Sequence, residues 1–75
     1  MAYRARLRSQ TALREAMSAN RIPVRVLAQR AGCGKSIVGL LRSGGRTTCT
    51  PATAAKLAAG LDIPAETLFR IEGEE

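Results

Sequence analysis

The stretch Leu27-Ala28-Gln29-Arg30-Ala31-Gly32-Cys33-Gly34-Lys35-Ser36-Ile37-Val38-Gly39-Leu40-Leu41-Arg42-Ser43-Gly44 decides how this chain folds. It reads as two short helices joined by a tight turn, and helices joined so closely must cross steeply. The crossing needs a small residue at the point of contact, here Ala28, and a residue free to adopt positive φ at the bend, here Gly32. An apolar residue after the bend (Cys33) and two more along the second helix (Val38, Leu41) lock the crossing angle. With the second helix spanning residues 34–43, its outer face is Lys35, Ser36, Gly39, Leu40 and Ser43. Those side chains are small or polar enough for the helix to enter a groove. An ordinary helical hairpin in a bundle would show the same spacing, but it would not account for the charges that surround this unit.

Working outward, Ser9 is placed to cap a first helix running to about residue 20, with Leu13, Ala16 and Met17 on one face. Asn20 suits the left-handed residue that ends a helix, Pro23 prevents continuation, and Ile22 sits where an apolar side chain can staple the next helix. The second helix covers residues 24–31, with Leu27 and Ala28 inward. Gly44-Gly45 stops the third helix, and the loop 46–49 is polar and basic. Thr50-Pro51 opens a fourth helix that carries Ala54, Leu57, Ala58 and Leu61. Pro64-Ala65-Glu66 opens a short fifth, whose Leu68 and Phe69 close the core. No apolar and polar alternation of strand length stands out, so the expectation is an all-α fold, a compact five-helix bundle. Residues 1–8 read as a basic arm, 9–69 as the helical domain and 70–75 as an acidic tail.

The chain has 75 residues, enough for one domain with a thin core built from Ala, Leu, Ile and Val, with one Tyr, one Phe and no Trp. Its net charge of +6 is unevenly placed. Residues 1–49 hold ten Lys and Arg against Glu15 alone, a net of +9, whereas residues 50–75 hold two against five acids, a net of −3. A molecule with one basic and one acidic half is oriented by a polyanion, not merely attracted to it.

Two motifs carry a resemblance to a known family. The segment Gly32-Cys33-Gly34-Lys35-Ser36-Ile37-Val38-Gly39-Leu40-Leu41-Arg42-Ser43-Gly44 has the form Gly-x-Gly-x-Ser-x-Val-Gly-x-Leu-x-x-Gly and resembles the helix-turn-helix of the lambda-repressor and Cro type. Downstream, Leu57-Ala58-Ala59-Gly60-Leu61-Asp62-Ile63-Pro64-Ala65-Glu66-Thr67-Leu68-Phe69 is similar to that family's passage from fourth to fifth helix. The resemblance covers about residues 9–69 and implies a sequence-specific regulator of transcription that binds double-stranded DNA, of phage or prokaryotic repressor type, working in the cytoplasm at the nucleoid of a bacterial host. By it, Lys35, Ser36, Gly39, Leu40 and Ser43 fall among base contacts. Arg25, Gly34, Arg42, Arg46, Thr47 and Thr48 fall on the backbone, and Arg4, Arg6 and Arg8 form an arm that wraps the duplex. The family often opens its second helix with Gln; this chain has Val24 there, leaving Arg25 to meet the phosphate. The chemistry of the residues agrees, since Lys can donate to guanine O6 and N7, and a Ser hydroxyl can donate or accept.

Rival functions fit less well. An antitoxin that also grips a partner protein is the alternative, but six residues after Phe69 leave little room for a toxin-binding segment. Gly32-Cys33-Gly34-Lys35-Ser36 superficially resembles the end of a phosphate-binding P-loop, yet the preceding glycine of that pattern would fall at Gln29. Two cysteines and no histidine argue against structural zinc and leave a cysteine nucleophile without its usual base. No enzyme activity, cofactor, metal, small-molecule substrate or membrane span is expected, and Cys33 and Cys49 read as two free thiols. A short recognition helix alone reads too few base pairs, so a weak homodimer is expected, or one formed only on DNA, with Leu68, Phe69 and Ile71 as its candidate interface.

Overall fold

The computed structural model describes residues 3–73. Its elements run β1 (Tyr3–Leu7), α1 (Gln10–Ala19), α2 (Val24–Ala31), α3 (Lys35–Ser43), β2 (Thr48–Cys49), α4 (Pro51–Gly60), α5 (Ala65–Leu68) and β3 (Phe69–Gly73). The fold is therefore mixed α/β, which corrects the all-α expectation. Among the described residues there are five helices and a three-stranded antiparallel sheet of order β2-β1-β3.

The helices begin and end where local chemistry dictates. The Ser9 hydroxyl accepts from the Ala12 N–H at 3.2 Å, and the Thr50 hydroxyl accepts from the Thr53 N–H at 3.2 Å, with Pro51 filling the first helical position of α4. Gly32 and Gly44 end α2 and α3 in the left-handed region, at φ 68° and 89°. At the end of α1 the structure departs from expectation. Asn20 stays at φ −96° while its side-chain amide donates to the Ala16 carbonyl at 2.8 Å, and Arg21 takes the left-handed backbone at φ 54°. For a residue with a Cβ that conformation costs about 1–2 kcal/mol.

Burial follows the spacing of each helix. Leu13 and Met17 of α1, Leu27, Ala28 and Ala31 of α2, Val38 and Leu41 of α3, and Ala54, Leu57 and Ala58 of α4 all face one core. Helices α2 and α4 approach closely. A Cβ at Gly60 would stand 3.0 Å from Leu27 Cδ1, so the missing side chain sets how near they lie.

Within the segments read as a basic arm and an acidic tail, Tyr3–Leu7 and Phe69–Gly73 are paired strands, while residues 1–2 and 74–75 lie outside the described residues. β1 is the central strand, with Leu7 opposite Phe69, Arg6 opposite Arg70, Ala5 opposite Ile71 and Arg4 opposite Glu72 on one side, and Ala5 opposite Cys49 on the other. The physical reason is a period-two pattern in Tyr3-Arg4-Ala5-Arg6-Leu7. Ala5 and Leu7 turn inward and are buried, while Arg4 and Arg6 point to solvent. Phe69-Arg70-Ile71-Glu72-Gly73 alternates apolar and polar residues in the same way, but only Phe69 is fully buried, as the aromatic anchor of the core, while Ile71 is exposed. On the outer face Arg6 and Arg70 stand directly opposite one another, a repulsive pairing. Glu72, diagonal to Arg6, offsets it by accepting from Arg6 Nε at 3.0 Å on both carboxylate oxygens. Part of the loop 46–49 likewise becomes strand β2.

Candidate nucleic-acid interface

The α2-turn-α3 unit is built as its sequence requires. The Cys33 N–H donates to the Ala28 carbonyl at 3.0 Å and the Gly32 N–H to Gln29 at 3.2 Å, which closes the bend between the helices. Ala28 is buried at the crossing, and Cys33 is half-buried against the core. Val38 and Leu41 fix α3 from below. Gly34 caps α3 in extended backbone without a side-chain cap hydrogen bond.

Above that support, Lys35, Ser36, Leu40 and Ser43 are exposed and Gly39 is half-buried. Leu40 is 43% exposed, one of three large hydrophobic side chains left in solvent among the described residues. Added Cβ atoms at Gly34 and Gly39 would meet nothing within 4 Å, so packing inside the chain does not call for glycine at either position. Ser43 differs from its neighbours. Its hydroxyl donates to the Leu40 carbonyl at 3.3 Å and accepts from the Gly45 N–H at 3.4 Å, so it braces the end of α3.

The flanking residues divide in the same way. Arg25 and Arg42 are exposed on α2 and α3, and their side chains make no internal hydrogen bond or ion pair among the described residues, although the Arg42 carbonyl accepts from Gln10 Nε2 at 2.8 Å. Arg46 Nε donates to the Thr48 carbonyl at 2.9 Å, stiffening the loop after α3. Thr47 is exposed, while Thr48 is half-buried in β2. Arg4 and Arg6 lie on the outer face of β1 and Arg8 just beyond its end, so they are built into the sheet and do not form a wrapping arm. Arg8 Nε donates to the Glu66 carbonyl at 2.8 Å, and Arg6 is held by Glu72. Leu68 and Phe69 are core residues, which removes both from the candidate dimer surface; Ile71 is 55% exposed.

Sequence reasoning missed two cations, Arg14 and Arg21. They line one cleft with Arg42, a convergence of α1, the α1–α2 turn and α3 that no local pattern displays. The chain has two cysteines, Cys33 and Cys49. Both are free, and burial pushes the Cys49 thiol above its ordinary pKa, with nearby Arg46 opposing the shift and Cys33 adding to it. Among the described residues no group of three or more His, Cys, Asp or Glu is placed to hold a metal ion, and no helix is long and apolar enough to cross a membrane. Compared with known proteins, the chain matches no family model, no curated protein and no solved structure.

Proposed function

We propose that this chain is a sequence-specific double-stranded DNA-binding regulator of transcription, of the phage or prokaryotic repressor kind, that lays α3 in the major groove and occludes a promoter. One observation carries the reading: α3, braced by α2 at a glycine bend, presents exposed Lys35, Ser36 and Leu40 around a bare Gly39. Nine residues of α-helix measure about 13–14 Å, long enough to follow the groove over a few base pairs. Lys35 and Ser36 stand at the helix start, where side chains meet base edges, and Leu40 supplies an apolar contact for a thymine methyl. The net of +9 on residues 1–49 supplies the sequence-independent attraction to phosphate. Because one such helix specifies so few bases, the active species is a two-fold dimer, joined through the strand that carries Ile71.

Selection of bound sites from random duplex DNA tests the reading, and a recurring half-site is the expected result. On that site Lys35→Ala costs about 1–3 kcal/mol, and much less on random duplex. Equal losses on both would assign Lys35 to the backbone, and no enriched sequence at all would overturn the function.

A further inference from the structure

A cleft of about 500 Å³ opens between the C-terminal half of α1, the α1–α2 turn and the end of α3. Three arginines line it, Arg14, Arg21 and Arg42, together with the buried residues Met17 and Ile22. None of the three arginine side chains makes a hydrogen bond or ion pair among the described residues. Glu15 borders an adjoining cleft with Arg14 and Arg42 but pairs with neither. Three cations held on one concave surface repel one another unless an anion joins them.

The backbone adds a separate observation. Arg21 occupies left-handed backbone at φ 54°, which glycine would adopt with less strain, and it lines the cleft from there. Arg42 ties the cleft to α3. It lies three residues beyond Gly39 and seven beyond Lys35, on the edge of the same helical face. A ribbon of phosphate and sugar bordering a groove occupied by α3 would pass along that edge. Guanidinium forks match phosphate oxygens in pairs.

We infer that the Arg14, Arg21 and Arg42 cleft seats a backbone phosphate of the DNA duplex, a clamp beside the recognition helix that includes two arginines not on the helix-turn-helix itself. The inference rests on the DNA-binding reading above. Its occupant is a phosphodiester because the cleft is shallow and open, suited to a strand that enters and leaves. An enclosed cavity would suit a free phosphorylated small molecule better.

The test uses the full chain and measures duplex affinity against salt for the wild type, Arg14→Gln, Arg21→Gly and Arg42→Gln. Each variant flattens the slope of log affinity against log salt by up to about one unit, the most that counterion release from a single phosphate allows. The loss is equal on a selected site and on random duplex, because phosphates carry no sequence. Arg21→Gly keeps or raises the melting temperature, so weakened binding cannot be laid to a damaged fold. Wild-type binding with all three slopes unchanged overturns the clamp and leaves the DNA reading standing. Wild type that binds no duplex overturns both. A parallel titration with inorganic phosphate at constant ionic strength follows the arginine Nε–H resonances by NMR. Saturable shifts in that arm, together with unchanged duplex slopes, would replace the duplex phosphate with a free anion.

Discussion

Gly39 and Gly44 sit five residues apart and are glycine for different reasons. At Gly44 the fold requires it: the backbone is left-handed at φ 89°, and an added Cβ would stand 2.8 Å from Gln10 Oε1. At Gly39 a Cβ would have open space, and the backbone is ordinary helix. Glycine within a helix is less stable than alanine by about 0.5–1 kcal/mol, so at Gly39 the chain carries a local destabilisation that no internal contact explains. On the DNA-binding reading proposed above, a bare backbone on the groove-facing side would let α3 approach base edges more closely. Gly39→Ala should therefore raise the melting temperature while weakening binding to a selected duplex. A variant that melts higher and binds as tightly as the wild type would show that no ligand needs the bare backbone there.

At the scale of elements, β1 alters what removal of the N-terminus does. A free arm could be cut away with only a loss of electrostatic attraction, but the central strand cannot. Deleting residues 1–8 removes buried Ala5 and Leu7 and strips β2 and β3 of their shared partner. Losing one well-buried leucine side chain alone costs about 2–5 kcal/mol, a large share of the stability of a domain this small. The shortened chain should show no cooperative melt by circular dichroism; a melt matching the full chain would return residues 1–8 to the status of an arm. The helices were legible in the sequence because their signals are local: a hydroxyl three residues before the amide it caps, Gly32 and Gly44 at the ends, and apolar residues at helical spacing. The strands were not, because β1 pairs with residues more than sixty positions away, and its alternation is short and carried by Ala and Arg. The exposed side chains of α3 were legible for the same local reason. Arg14 and Arg21 were hidden because only the packing of α1 beside α3 brings them to Arg42.

The whole molecule ends in an edge. In the order β2-β1-β3, strand β3 pairs on one side only, and its other edge presents backbone donors and acceptors ready for another strand. Its sequence Phe69-Arg70-Ile71-Glu72-Gly73 complements itself. In an antiparallel pairing of two copies centred on Ile71, each Arg70 lies opposite the second copy's Glu72, and the two Ile71 side chains meet. Phe69 is committed to the core, whereas Ile71, 55% exposed on the inner face of the strand, has apolar surface left to bury. A two-fold pairing through Ile71 would join two copies, and with them two α3 helices, in the symmetric assembly that a pseudo-palindromic site requires. The contact is small, so the dimer is expected to be weak in solution and firm on DNA, where the duplex holds both copies at high effective concentration. Ile71→Asp places two carboxylates at the centre of that pairing, on a side chain the monomer leaves mostly in solvent. It should abolish the dimer while leaving the melting temperature of the monomer within a few degrees. Sedimentation of the complex with a selected site reads the outcome directly. Two wild-type protomers per site, with Ile71→Asp binding far more weakly and as single protomers, is the expected result. One wild-type protomer on an asymmetric site would remove β3 from assembly and leave the recognition of DNA to a single α3.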